Sequence, residues 1–551
     1  MKKVLSNSVK GYTWARFRKD LLAGIIVGII ALPLGMSFAI ASGVKPEYGI
    51  YSSFVAGIIV SIFGGSRFQI AGPTGAFIPV LLGIVLTYGY QDLLVAGMMA
   101  GVLLCLMGIF KLGTLIKFIP RPVTIGFTAG IAVTIFMGQV GNFLGLTGME
   151  KHESFIANMK EIWLHLDSWN FYSVLISCIC MFVLFVFPKI LPRIPAPLIG
   201  LVITTGIAML FFKDALPTIG SAYGEIPSTF PPFQFPDMTF ANMSKLIGPA
   251  FVIAMLGGIE SLLSAVVADG MTNTKHNSNR ELIGQGIANI VTPMFGGIPA
   301  TGAIARTATN INNGATSRVS GVIHGIFVLL TLLVLAPVAI NIPIAAMAPI
   351  LMLVAWNMSE RKTFQHIIKL KSGDTLVLVI TFLLTVFASL TVAVEVGLLL
   401  AVVLFAKQMG SSMQIEEIEP EGAEIAPHLH DKISIFTIRG PLFFGAAQIF
   451  QQNIIKAIHV KPEFLILRMG KVPIIDATAE GYFHQIEKEF SKQGGQILIT
   501  GLTDKAKESL KGSGLYDRIG EEHFFLHTED AVHYAENALS ELSRQLLSVE
   551  T

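Results

Sequence analysis

The chain is 551 residues long, 52% hydrophobic and 14% charged, with a mean hydropathy of +0.66. Soluble domains carry nearly twice that charged fraction, about 25%, which excludes a water-soluble protein built round one large core. The net charge of +2 selects no partner class, and nucleic acid is not an expected partner.

Lys2, Lys3, Lys10, Arg16, Arg18 and Lys19 precede the first long apolar run, so residues 1–19 are expected in the cytoplasm. No charged side chain interrupts Leu21–Val44. That run is long enough to cross a bilayer and too long for the apolar part of a cleaved signal peptide. Candidate spans follow one another at 20–42, 49–64, 73–88, 92–111, 119–143, 171–187 and 196–213. After a polar stretch come 247–268, 280–297, 304–313, 316–337, 342–357, 374–389 and 391–408. Lys111, Lys117 and Arg121 follow the fourth span, Lys189 and Arg193 the sixth, and Arg361, Lys362, Lys369 and Lys371 the twelfth. All fall on the side of the N-terminus, as the positive-inside rule requires. The loops at 144–170 and 214–246 hold more acid than base and fall outside. An even number of spans returns the C-terminus to the cytoplasm. Cys105, Cys178 and Cys180 lie within apolar runs and read as small packing residues.

Two spans are irregular. The third starts at Ala71-Gly72-Pro73-Thr74-Gly75, and the tenth, around Ala303-Ile304-Ala305-Arg306-Thr307, is too short to cross. They hold the third place in each set of seven. Broken segments at matching places in two halves point to a midplane binding site in an inverted-repeat carrier. A helix that starts inside the membrane presents free N–H groups and a positive dipole end. Two such ends face to face would hold an anion.

From Ser411 the composition changes, so the transport domain is expected over 20–410. An acidic linker over 411–430, with Glu416, Glu417 and Glu424, leads to a soluble domain over 431–551. Strands at 432–439, 464–468, 496–500 and 523–526 alternate with helices at 446–458, 477–490 and 505–510 and a last helix capped by Thr528. This alternation predicts a small α/β domain. Asp476 reads as a helix N-cap.

The stretch Pro46-Glu47-Tyr48-Gly49-Ile50-Tyr51-Ser52-Ser53, with Gly64-Gly65-Ser66-Arg67, resembles the sulfate permease family of anion transporters. The resemblance continues in Asn279-Arg280-Glu281-Leu282-Ile283-Gly284-Gln285-Gly286, from Gly302 to Gly314, and in Gly440-Pro441-Leu442-Phe443-Phe444-Gly445. It implies a polytopic α-helical membrane protein of fourteen segments in two inverted repeats of seven. A core domain would hold segments 1–4 and 8–11 and a gate domain 5–7 and 12–14, moving as an elevator in a homodimer. The tail resembles a STAS domain. The stretches Ala303–Arg306 and Val354-Ala355-Trp356-Asn357-Met358-Ser359-Glu360 are similar to the bacterial branch that carries C4-dicarboxylates.

The candidate site residues follow. Glu260 stands in an otherwise apolar span, where a charge costs about 2.5–3.5 kcal/mol on insertion scales unless paired or neutralised. It is the candidate proton-coupling residue, or else a structural carboxylate. Arg306 opens the tenth segment, as an anion ligand or as an ion-pair partner of Glu260. Thr74, Gly75 and Ala76 on one side, and Gly302, Ala305 and Thr307 on the other, are expected to present N–H groups to the substrate. By the resemblance, Phe38 flanks the substrate, and Leu34 stands where many relatives have Gln. His324 is either a relay or a helix–helix contact, and Asn310, Asn312, Asn313 and Gly314 read as capping and close packing. In Ile474-Ile475-Asp476-Ala477-Thr478, which resembles the loop of anti-sigma-factor antagonists, Ala477 replaces the regulatory serine.

The expected function is secondary active anion transport in the bacterial inner membrane, by symport. The coupling ion is a proton, with sodium the weaker alternative, and no other cofactor or metal is expected. Sulfate and C4-dicarboxylates such as succinate and fumarate lead as substrates, followed by bicarbonate. The tail is expected to meet a cytoplasmic protein partner. The alternatives are a nucleobase permease of the same fold, or a channel or anion sensor that signals through the tail. No nucleophile–base motif, P-loop or metal spacing is present, so no enzyme activity is expected.

Overall fold

The computed structural model describes residues 12–114, 119–191, 195–212, 215–411, 413–418, 429–459 and 462–549. Lys2, Lys3, Lys10, Lys117, Arg193 and the linker's Glu424 lie outside the described residues. By packing, the chain divides into two compact units, up to Leu398 and from Leu399 on.

In the first unit the long helices are α1 (Trp14–Ala41), α2 (Pro46–Phe63), α3 (Ile78–Tyr88), α4 (Tyr90–Ile109), α5 (Arg121–Gly138), α6 (Phe171–Ile190) and α7 (Ala196–Phe211). A second set comprises α8 (Phe240–Thr272), α9 (Ser278–Val291), α10 (Ile304–Asn312), α11 (Val319–Ala339), α12 (Ile344–Met358), α13 (Gly373–Phe387) and α14 (Leu390–Ser411), the last divided between the two units at Leu398. These are the fourteen expected segments. The largest shift is in α8, which starts at Phe240 rather than at residue 247 because Thr239 caps it, accepting from Asn242 N at 3.3 Å. Short helices at Phe155–Leu164, Ile219–Tyr223 and Arg361–Leu370 sit in the connections.

Packing follows a repeat. Helix α1 lies on α11 as α8 lies on α4; α2 lies on α11 as α9 lies on α4; α1 meets α2 as α8 meets α9. The pairs α2–α9 and α5–α12 map onto themselves. Exchanging each helix for the one seven places along therefore reproduces the pattern. Seven is odd, so the second repeat enters from the opposite side and the repeats are inverted. Most packing falls within two groups, α1–α4 with α8–α11 and α5–α7 with α12 and α13. Small residues permit the close approaches: a Cβ on Gly49 would lie 1.9 Å from Gly35 O, where α1 crosses α2.

Two of the resembling stretches meet each other. Glu281 accepts from Gly65 N at 2.7 Å and Ser66 N at 2.9 Å. Arg280 Nε donates to Phe63 O at 3.1 Å, and Arg318 Nη1 to Gly64 O at 2.8 Å. Together they satisfy the backbone at the end of α2, which has no helical partners of its own. Asp20, fully buried in α1, does the same before α11, accepting from Ser317 N at 3.2 Å, and it also accepts from Ser317 Oγ at 2.6 Å and Tyr12 OH at 2.7 Å. Burial, then the Asp20 carboxylate, pushes the Tyr12 phenol up to about 12.

The second unit holds a five-stranded sheet in the order β3 (Gln414–Ile418), β4 (Ile433–Arg439), β5 (Phe464–Lys471), β6 (Gln496–Thr500) and β7 (Phe524–Phe525). Strand β3 is antiparallel to β4, and the rest are parallel. Helices α15 (Phe444–His459), α16 (Ala477–Lys492), α17 (Asp504–Gly512) and α18 (Leu515–Ile519) cover one face, and α19 (Thr528–Val549) the other. One expectation is corrected here: part of the acidic linker, Gln414–Ile418, is a strand. It pairs Glu416 with Thr437, while Glu416 Oε2 sits 3.3 Å from Arg439 Nη2. Helix α19 also begins at Thr528 itself, so Thr528 is not its cap. Asp476 is the N-cap of α16, accepting from Ala479 N, and it also accepts from Phe444 N at the start of α15, both at 2.9 Å.

Candidate functional site

Two broken segments meet in the middle of the first unit. β1 (Ala71–Gly72) pairs antiparallel with β2 (Thr301–Gly302), Ala71 opposite Gly302 and Gly72 opposite Thr301. Non-helical backbone at this depth must be satisfied internally, and α8 supplies the partners. Gln69 Nε2 donates to Ser261 O at 2.9 Å, Gly302 N to Ser261 Oγ at 3.0 Å, and Thr301 Oγ1 to Gly257 O at 2.9 Å. A Cβ on Gly302 would lie 1.9 Å from Gln69 Nε2 and 3.1 Å from Ser261 Cα, so any side chain there would have to displace Gln69.

A helix starts just past each strand. A 3-10 turn, Gly75–Phe77, leads into α3, and Ile304 opens α10. Neither Thr74 nor Ala303 caps its helix with a side chain. The first amides of both helices thus keep unused donors, and both ends are positive.

Between them lies a cavity of about 290 Å³. Leu34 and Phe38 line it from α1, Glu260 from α8, and Thr74, Gly75, Ala76, Gly302, Ala303, Ile304, Ala305 and Arg306 from the two broken segments. From the other packing group come Thr128 of α5, Val354, Asn357 and Met358 of α12, and Glu360 just beyond. Glu260 is 9% exposed, and its Oε2 accepts from Thr74 Oγ1 at 2.8 Å. Arg306 is 2% exposed; Nη2 donates to Pro73 O, while Nη1 is buried with no partner among the described residues. Among the described residues Arg306 and Glu260 form no ion pair, so the cation is held by a carbonyl and keeps a donor to spare.

Phe38, Thr74, Gly75, Ala76, Glu260, Gly302, Ala305 and Arg306 are therefore brought together. Thr307 is not. Its hydroxyl is fully buried, accepting from Ile70 N at 3.0 Å and from Ser264 Oγ at 3.2 Å. It holds β1 in place and does not face the cavity. His324 is buried beside Gly57 and is not part of the cavity lining, with neither ring nitrogen partnered among the described residues. Asn310 Nδ2 donates to Phe68 O and Ser320 Oγ, both at 3.0 Å, a packing role. Sequence reasoning did not assign Thr128, Asn357, Met358 or Glu360 to the site. Their approach to the broken segments is a tertiary fact; the one signal was that Asn357, Met358 and Glu360 fall in a stretch already singled out by family resemblance, and Thr128, inside an apolar run, gave none.

Two inverted repeats of seven segments, whose broken members bring two helix N-termini and Arg306 to one cavity, define a multi-pass membrane transporter for anions. Residues 17–381 match the model of the sulfate permease family and residues 424–531 that of the STAS domain. The chain belongs to the sulfate permease family. It is 52% identical to "Putative sulfate transporter YvdB" of Bacillus subtilis over 95% of this chain and 99% of that protein. It is 28% identical to the bicarbonate transporter BicA of Picosynechococcus, over 94% of each chain. Among solved structures, the murine Slc26a9 anion transporter matches with a TM-score of 0.87 at 21% identity, over 97% of this chain and 94% of that one, a likeness of fold. The transmembrane domain of a cyanobacterial BicA matches with a TM-score of 0.63 at 29% identity, over 71% of this chain and 98% of that one.

Proposed function

We propose that the chain is a secondary active carrier that moves a small oxyanion or carboxylate inward together with a proton. The observation that carries this reading is the meeting of two uncapped helix N-termini, Arg306 and Glu260 in one buried cavity. With Glu260 ionised, its charge offsets that of Arg306. With Glu260 protonated, only the exposed Glu360 at the lining opposes Arg306 and the helix ends, and the cavity favours an anion. Proton and anion then bind in company, which is the requirement for symport. Sodium beside Glu260 and the Thr74 hydroxyl is the weaker alternative.

Sulfate and C4-dicarboxylates lead as substrates and bicarbonate follows, in keeping with relatives named for sulfate and bicarbonate. The group α1–α4 with α8–α11 carries the broken segments and slides as an elevator against α5–α7 and α12–α14. The carrier works as a homodimer in a bacterial inner membrane with both termini cytoplasmic. The STAS tail, with Ala477 at the usual phosphoacceptor position, docks a cytoplasmic partner by other means.

The test is reconstitution in proteoliposomes, with uptake of labelled sulfate, succinate, fumarate and bicarbonate measured with and without an inward proton gradient. At least one anion accumulates when the gradient is imposed. If none accumulates under either condition, the carrier reading is wrong.

A further inference from the structure

Helices α5 and α12 border two cavities. Thr128 of α5 and Val354, Asn357 and Met358 of α12 line the substrate cavity. Their neighbours in sequence, Ala129 and Ala132 of α5 and Ala355 and Trp356 of α12, line a second one of about 390 Å³, a size that suits a small molecule. Phe364 of the short helix Arg361–Leu370 and Phe382 of α13 border it too, ring edge to ring face with centroids 5.4 Å apart.

This second cavity is lined mainly by apolar side chains, and Arg361 is the only charged residue in its described lining. A left-handed turn at Glu360, φ 39° and ψ 42°, sets Arg361 in place. That conformation is unfavourable for a residue with a side chain, and such strain gathers at ligand clamps. The Arg361 Cζ lies 3.4 Å from the centroid of the Trp356 ring. Stacking uses the flat face of the guanidinium and leaves its N–H edges free. Among the described residues those edges meet no ion pair and no hydrogen bond. Glu360 borders the substrate cavity, so the exposed Arg361 stands at about that depth. A cation there is costly against lipid chains, and its end of the second cavity is therefore wet. An apolar chamber with one cation at a wet end suits an apolar body that carries one negative charge.

We propose that this cavity binds a single-chain amphiphilic carboxylate, with the chain beside Ala129, Ala132, Trp356 and Phe364 and the carboxylate on the free edge of Arg361. One guanidinium without a second cation selects a monoanion, and its planar fork matches a carboxylate. The occupant braces α5 against α12 and slows transport without competing for the substrate. Only that effect rests on the carrier reading; the binding does not.

Trp356 is 46% exposed and reports on the cavity once Trp14, Trp163 and Trp169 are replaced by Phe. In bilayers holding this variant, ω-bromoundecanoate should quench Trp356 saturably. It should act at concentrations at least about tenfold below those of ω-bromoundecanol, as one charge-assisted hydrogen bond requires. Each CH2 removed from the acid should weaken it about fourfold. Arg361→Gln should erase the preference for acid over alcohol, and Arg361→Lys should keep part of it. Val133→Phe, which fills the cavity and leaves Arg361 intact, should weaken both probes. Undecanoate should lower the maximal rate of anion uptake without raising the apparent KM, and Arg361→Gln should take up anion insensitively to it. Equal quenching by acid and alcohol, or by the acid with and without Arg361, overturns the proposal. Quenching by brominated phosphatidylcholine that Val133→Phe relieves and undecanoate does not would mean a lipid tail fills the cavity, and overturns it too. Inhibition that more substrate relieves would put the acid in the substrate cavity, again against the proposal. If no anion is taken up at all, the carrier reading fails and quenching still decides the binding.

Discussion

Arg306 gives one nitrogen to Pro73 O and holds Nη1 buried without an acceptor among the described residues. A buried guanidinium with a spare donor is a costly arrangement unless an acceptor arrives. Arg306→Ala should therefore lower apparent anion affinity by about 10- to 100-fold, the equivalent of one charged hydrogen bond of about 1.5–3 kcal/mol. Arg306→Lys should recover only part of the loss, since an ammonium cannot span the carbonyl and the anion as a planar fork does. Uptake measured against substrate concentration checks both. At this scale the sequence was only partly readable. Arg306 and Thr307 are neighbours in a nine-residue helix, yet successive residues point about 100° apart. Which of the two faces the cavity depends on how α10 is rotated, and that is set by the Ile70 and Ser264 contacts of Thr307.

The two-residue ladder is the element that positions everything else. Its register places both helix starts on one cavity, and Gly302 is the residue with no spare room. Gly302→Ala should displace Gln69, break its bond to Ser261 O and destabilise the protein by about 1–3 kcal/mol, the usual cost of overpacking. A lower unfolding temperature, together with lost uptake, is the expected result. The broken segments themselves were visible in the sequence as Gly/Pro/Thr interruptions of apolar runs. The ladder was not, because two residues carry no periodicity. Strand β3 was hidden for a related reason. With Glu416 and Glu417 it reads as a charged linker, and it is held as an edge strand by pairing with β4.

For the whole molecule, hydropathy and loop charge gave the segment count, and an odd number of segments per repeat gave the inversion. The division into two packing groups was not in the pattern, since every span is apolar whichever group it joins. The family resemblance implied it, and it becomes visible in which helices touch. If the groups slide past each other, joining them must stop transport. Met36 of α1 and Leu201 of α7 border one apolar cavity from the two sides. In a background with Cys105, Cys178 and Cys180 replaced, Met36→Cys with Leu201→Cys should transport normally when reduced and stop when cross-linked. Undiminished uptake after complete cross-linking would argue for a fixed scaffold.

Anion binding is joined to a proton on Glu260 in this carrier, and the most direct measurement separates the two. In proteoliposomes, Glu260→Gln keeps a neutral partner for Thr74 and removes the titrating group. The variant should exchange labelled for unlabelled anion across the membrane, yet fail to accumulate it when an inward proton gradient is imposed, whereas the parent does both. Gradient-driven accumulation by Glu260→Gln at the parent's level would contradict the coupling role of Glu260.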